Sequence, residues 1–366
     1  MNMNWKLTVF LLFSSSLING LDASTDKLFV CYYTATGYFP ATQVPADLCS
    51  HIIYSYGNVS PDGIKPKKSE DVQNYKTILN LKQTNPNLKV LLSLQFGFES
   101  VVRAGSDIMT DFTKKAVVFL QNYGFDGVDL DWEFPKASDK ENYQQFIKIF
   151  KSEVAKVNML LSMALPNSPF YFKGFDANTL TSYVDFMTAM TYDLHMFKRN
   201  IDNSTGYNSP LFTPKGDGKY YSTSAVINFY LTQNITASKL LVGIPTFGRS
   251  WTLADPSKHD LHSPAVDKGS PGPYRHFRGV YLYPDACVAK TQGATTVADD
   301  VNVAAYLYFN TTWVSYDNIW TIQQKVAWMK SQNLGGVGVW ALHLDDNSQV
   351  CGQGFLPLLS TIKSNL

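Results

Sequence analysis

An excess of charge of one sign is missing from this 366-residue chain: 31 Lys and Arg face 30 Asp and Glu, for a net charge of +1. A broadly basic face is therefore not expected, and no nucleic-acid partner is called for. Apolar runs long enough to cross a bilayer are missing too, since spanning takes about 20 residues. The run Leu7–Leu17 is shorter; Lys6 precedes it, and Asn19, Gly20 and Ala23 follow. That layout is an export signal, so residues 1–23 are read as a signal peptide, with a signal anchor as the alternative. Cysteine is scarce, at Cys31, Cys49, Cys287 and Cys351. Behind an export signal an even count suggests two disulfides, and spacing leaves three connectivities open. The histidines show no convincing ligand set; His259 and His262 are close but lie in an irregular stretch. No metal and no cofactor are therefore expected. The chain reads as secreted and extracellular, without a membrane anchor, and a monomer by default. Asn58, Asn203, Asn234 and Asn310 open Asn-x-Ser/Thr sequons and are glycosylation candidates.

Internal repeats, low-complexity tracts and a Gly-x-Gly-x-x-Gly signal after the first strand are also absent. The last absence weakens a doubly wound dinucleotide-binding sheet. What is present is alternation. Strand-like runs fall at Leu28–Tyr33, His51–Tyr56, Lys89–Leu94, Gly127–Glu133, Met159–Ala164, Asp185–Thr191, Leu240–Pro245 and Gly335–Trp340. Amphipathic stretches separate them, the clearest at Asn74–Lys82, Asp111–Asn122, Lys140–Val157, Ser222–Leu231 and Asn318–Ser331. Eight strands alternating with helices predict an α/β fold of the (β/α)8 TIM-barrel type across residues 24–366. Residues 247–312 break the rhythm with Gly, Pro, Tyr and short strand-like runs. They are read as a small α+β insertion domain between the seventh strand and the seventh helix, because a structureless loop of that length is uncommon.

The segment Phe125–Glu133 carries the chemistry. Side chains of a strand alternate faces, so Asp129, Asp131 and Glu133 point one way and Val128, Leu130 and Trp132 the other. Three like charges on one covered face cannot all ionise. Asp129 and Asp131 would share a proton, and Asp131 would keep Glu133 protonated enough to act as a general acid. Glu133 comes last, at the C-terminal mouth where active sites of barrels lie.

Asp126-x-x-Asp129-x-Asp131-x-Glu133 resembles the signature of glycoside hydrolase family 18, the chitinases and chitinase-like lectins. Met190-Thr-Tyr-Asp-Leu-His195, Lys239–Arg249 and Gly335–Trp340 resemble the family's sixth, seventh and eighth strands. The resemblance implies hydrolysis of β-1,4-linked N-acetylglucosamine, in chitin or chito-oligosaccharides, by a substrate-assisted retaining mechanism. Glu133 would be the general acid/base. Asp131 would orient the substrate's acetamido N–H, with Asp129 behind it, and Tyr192 would bind the acetamido carbonyl. Asp126, Met190, Asp193, Arg249 and Trp340 would contact the sugar, Trp340 as its apolar floor. The resemblance also implies the pairing Cys31–Cys49 and Cys287–Cys351. The alternative function is a weak or inactive oligosaccharide-binding lectin of the same fold.

Departures from the family fall at substrate contacts. The third strand usually ends in Ser-x-Gly-Gly, commonly followed by Trp; here it reads Ser93-Leu-Gln-Phe-Gly-Phe98. A Trp is also common near Thr36 and after His195, where Met196-Phe-Lys198 stands. An acid is common at His343. Phe96, Phe98, Phe197 and Tyr38 could partly replace the lost aromatic platforms. A cleft short of such platforms favours short chito-oligosaccharides over crystalline chitin.

Overall fold

The computed structural model describes residues 27–366 apart from Arg275 and His276. The expected signal peptide, residues 1–23, lies outside the described residues. Eight parallel strands form the barrel: β1 (Leu28–Tyr33), β2 (His51–Ser60), β3 (Lys89–Phe96), β4 (Gly127–Leu130), β5 (Leu160–Leu165), β6 (Phe186–Ala189), β7 (Leu240–Pro245) and β8 (Gly336–Trp340). Each pairs with the next in parallel, and β1 pairs with both β2 and β8, so the sheet closes. A short antiparallel strand, Gly63–Pro66, extends β2.

Alternation along the strands separates two apolar layers. Phe29, Cys31, Ile52, Leu92, Val128, Leu130, Leu161 and Val242 point outward into the large core beneath the helices. Val30, Tyr32, Ile53, Leu91 and Leu241 point inward and fill the barrel. The helices present matching stripes. Ser106–Tyr123 buries Met109, Phe112, Thr113, Ala116, Val117 and Leu120, a spacing of three and four residues that makes one face. It stops at Gly124, whose φ of 90° is a left-handed cap suited to glycine. No helix among the described residues is long and apolar enough to cross a membrane.

Between β7 and the helix Ile319–Ser331 the chain builds a second, antiparallel sheet. Its path is Ala265–Lys268, Phe247–Leu253, Thr312–Tyr316, Ala304–Phe309, Thr295–Asp299, with Val280–Leu282 also against Phe247–Leu253. The last strand thus runs to Tyr316, beyond the end at 312 read from the sequence. Trp251, Trp313, Tyr207 and Tyr306 form its own apolar centre.

Both disulfides form, Cys31–Cys49 and Cys287–Cys351, with sequence separations of 18 and 64. Loop-closure entropy grows with the enclosed length, giving about 3 and about 4 kcal/mol respectively. Serine substitution of Cys287 and Cys351 together is expected to lower the urea midpoint more than the same change at Cys31 and Cys49. Equal or reversed effects would show that the loops retain structure when unfolded. Of the sequon residues, Asn203, Asn234 and Asn310 are exposed. Asn58 is the exception: it lies within β2, half-buried, with its Oδ1 enclosed and unpartnered.

Candidate active site

The register of three neighbouring strands places Ser93 of β3 and Ser162 of β5 on either side of Asp129 of β4. All three point into the barrel. Ser162 Oγ donates to Asp129 Oδ1 at 2.7 Å and Ser93 Oγ to Oδ2 at 2.8 Å, while Tyr32 OH lies 3.4 Å from Oδ1. The base of the acidic series is therefore a carboxyl caged by hydroxyl donors. Burial pushes Asp129 up to about 6, and the hydrogen bonds from Ser162, Ser93 and Tyr32 restrain the rise. These donors, not Asp131, occupy both Asp129 oxygens.

The ladder of β4 ends at Leu130, not at Glu133 as the sequence suggested. Asp131 N still donates to Leu94 O, at 2.8 Å, and the chain then leaves the sheet. Alternation nevertheless survives in the burial. Trp132 packs outward, stacked on Phe98 at 5.4 Å. Asp131 is 4% exposed, and Glu133 emerges at the surface of the cleft. Burial, then the charges of Glu133 and Asp129, hold Asp131 well above the usual carboxylate range; a Tyr56 hydrogen bond opposes them. Its Oδ1 is enclosed and has no partner. Glu133 is also raised, by burial first and by Asp193, against a hydrogen bond from Gln95. The segment thus presents, at the barrel mouth, a series of acids whose surroundings all favour the neutral form more than water does.

The mouth opens into a cleft with two lobes. One, of about 340 Å3, is lined by Tyr32, Tyr56, Asp131, Arg249, Trp340 and their neighbours. The other, of about 480 Å3, is lined chiefly by Phe134, Phe170, Tyr171, Tyr220, Tyr221 and Lys198. Glu133, Met190, Tyr192 and Asp193 border both lobes and so stand at the divide. Trp340, at the end of β8, is half-buried and stacks on Tyr56 at 5.8 Å. Cis peptide bonds occur at Ser55–Tyr56, Glu133–Phe134 and Trp340–Ala341, all around this mouth.

The turn after β6 is pinned from several directions. Ser209 Oγ donates to Thr191 O at 2.6 Å, and Asn167 Nδ2 donates to the carbonyls of Tyr192 and Asp193 at 3.0 and 3.2 Å. Asp193 N donates to Asn208 Oδ1 at 3.0 Å, which holds Asp193 in a left-handed conformation with φ of 57°. Its carboxylate faces Arg249, whose Nε and Nη2 donate to it at 2.6 and 2.7 Å. Room for Tyr192 comes from Gly243 of β7. A Cβ there would lie 2.2 Å from Ala189 O and 3.1 Å from the Tyr192 ring. Behind the second lobe, His195 lies between Asp202 and Asp217, 3.2 and 3.3 Å away, and its ring centroid is 4.4 Å from that of Tyr221. Burial alone would lower its pKa, but the two carboxylates raise it to about 9. The two carboxylates thus favour the imidazolium, and the ring packs against Tyr221 in the wall of the second lobe.

Several expected contacts need correction. Asp126 does not reach the cleft. It opens the segment at the opposite end of the barrel, where Lys82 Nζ donates to it at 2.9 Å and Val90 N at 2.8 Å. It is a structural tie between a helix and two strands. Arg249 lines the cleft but spends two of its donors on Asp193. Phe98 is fully buried beside Trp132, and Phe197 packs in the core of the second sheet, so neither offers a platform. The cleft as a whole is not short of aromatic surface. Phe134 stacks on Tyr171 at 4.8 Å, and Phe170 is 65% exposed beside them. Sequence reading missed this wall, and it missed Gln95, Tyr56, Asn167 and Asn208. Only for Gln95 was there a signal, its place in the altered end of the third strand.

The chain matches the glycosyl hydrolases family 18 over residues 28–345. It is 34% identical over 374 residues to Chitotriosidase-1 of Mus musculus, covering 94% of this chain and 78% of that protein. An immunomodulatory active chitinase from Trichuris suis superposes with a TM-score of 0.87 at 31% identity, covering 93% of this chain and 99% of the other. Human YKL-39, described as a pseudo-chitinase with retained chitooligosaccharide binding, superposes with a TM-score of 0.88 at 26% identity, covering 93% and 99%. The chain therefore belongs to glycosyl hydrolases family 18.

Proposed function

We propose that the protein is a secreted, monomeric chitinase-type hydrolase that cleaves β-1,4 bonds between N-acetylglucosamine units of chitin or chito-oligosaccharides. One observation carries the reading: Glu133, an accessible acid with a raised pKa, stands where two sugar-sized lobes meet. A bond held across that divide has its leaving oxygen beside a proton donor. The sugar on the Trp340 side would lie over the indole. The leaving portion would lie along Phe134, Phe170 and Tyr171.

The family resemblance implies the nucleophile, the carbonyl oxygen of the substrate's own acetamido group. The carboxyls lining the lobes are compatible with that role. Asp131 is buried and favours its neutral form, Glu133 supplies the proton, and Asp193 is bound to Arg249. The acetamido oxygen of the substrate then attacks C1 as the C1–O bond breaks, and the Glu133 proton goes to the leaving oxygen. Asp131 takes the acetamido N–H, and rotation of its carboxyl would present the unpartnered Oδ1 to that donor. Tyr192 holds the carbonyl. Water attacks C1 of the oxazolinium ion from the opposite face to the acetamido oxygen, giving its proton to Glu133 and restoring the original configuration.

The aromatic wall should set length preference. Tyr171→Ala is expected to raise KM for a pentamer about fivefold, the value of one stacking contact near 1 kcal/mol, with a smaller effect on a trimer. An equal effect on both lengths would remove Tyr171 from the leaving-group side. The reading itself is tested by incubating the purified protein with defined chito-oligosaccharides and following products by chromatography. Shorter N-acetylated oligomers are expected. Binding without product would favour a lectin, as in the relative YKL-39.

A further inference from the structure

Gln95 stands on β3 two residues beyond Ser93, on the same inward face and one layer nearer the mouth. The two residues repeat one relation at successive levels. Ser93 donates to Asp129, and Gln95 Nε2 donates to Glu133 Oε1 at 3.1 Å. Gln95 is half-buried and lines the Trp340 lobe with Tyr56 and Asp131. The chain on its far side is fixed. Gly97 has a φ of +95°, and a Cβ there would lie 2.0 Å from Val59 O, so the strand can end in this turn only with glycine. Phe96 is turned out, 52% exposed, with Lys67 Nζ 5.0 Å over its ring. Gln95 is thereby held against Glu133 rather than passing it by chance.

We propose that Gln95 is a positioning residue for the acid, fixing Glu133 Oε1 as a hydrogen-bond acceptor so that the transferable proton resides on Oε2, and setting the pH range over which Glu133 can donate it. A protonated carboxyl has one O–H and one carbonyl-like oxygen. An amide N–H directed at Oε1 claims the second role for that oxygen and leaves the proton to the other. Once Glu133 is ionised, the same N–H meets a negative charge and binds more strongly. Gln95 therefore favours the ionised form. It acts against burial and Asp193, which both favour the neutral form. The other groups facing Glu133 are Asp131 on its own segment and the phenols of Tyr56 and Tyr192 from β2 and the turn after β6, while Arg249 partly offsets Asp193.

This inference rests on reading Glu133 as the acid, and its test separates the two. Gln95→Leu keeps the volume and removes the donors. The pH profile of kcat on the tetramer is expected to move its alkaline limb up by about one pH unit. A role confined to packing would lower the rate without moving the limb. The second readout needs no turnover: 13C NMR titration of the Glu133 carboxyl, assigned by its loss in Glu133→Gln, should show the same upward movement. Gln95→Ala, which adds no bulk, is carried through the same titration in case the leucine variant does not fold. A Glu133 carboxyl that titrates alike in wild type and variants overturns the proposal, whether or not the protein hydrolyses. Titration that moves in a wild type without hydrolysis overturns the functional reading and leaves the Gln95 contact standing.

Discussion

Glu133→Gln is expected to lower kcat on chito-oligosaccharides by about 100- to 10,000-fold while leaving their dissociation constants nearly unchanged. Glutamine keeps the size of the side chain and can still meet Gln95, so the cleft should retain its shape. It cannot give a proton to the leaving oxygen, nor take one from water in the second step. Both halves of the reaction lose the same group. The wild-type rate should fall as pH rises through the Glu133 pKa, because only the protonated form is the acid. Burial raises that pKa from the ordinary glutamate value, which extends the active window upward. A variant with wild-type kcat would place the acid elsewhere.

Asp131→Asn carries the second large effect, a fall in kcat of about 100- to 1,000-fold, the range for removing one preorganised electrostatic partner. Asparagine keeps the neutral shape, but its amide can turn NH2 instead of an oxygen to the acetamido N–H, so the nucleophile is no longer held in line. The pH profile supplies a second readout. Burial and the charge of Glu133 hold Asp131 in its neutral form while Glu133 ionises, so asparagine leaves the charge facing Glu133 unchanged. The alkaline limb of Asp131→Asn should therefore stay in place, unlike that of Gln95→Leu. Stopped assays across pH 4 to 9 would resolve the difference. A downward shift would mean that Asp131 is ionised beside Glu133 in the free enzyme.

The barrel was legible because each strand is a short apolar run and each helix repeats at three and four residues. Leu28–Tyr33 and Leu240–Pro245 coincide with the runs read from sequence. Strand ends were less legible, since Asp131–Glu133 continues the alternation of β4 after its ladder stops. The acidic series could be read because Asp129, Asp131 and Glu133 lie within five residues of chain. Asp126 was misread although the same alternation excludes it: it shares parity with Val128 and Leu130, on the outward side. Asn167, Asn208 and Ser209 were invisible because they act across strands on the backbone of Thr191–Asp193. The aromatic wall was missed for a similar reason. Phe170 and Tyr171 come from the turn Pro169–Gly174, while Tyr220 and Tyr221 arrive from a loop far along the chain.

Cleavage by the substrate's own acetamido group at a bond held over Glu133 is tested most directly by proton NMR of the first products formed. An N-acetylated tetramer should release products in the β configuration before mutarotation, and its fully de-N-acetylated counterpart should remain intact. Equal cleavage of both tetramers, first products of the α configuration, or no cleavage of either would contradict that mechanism.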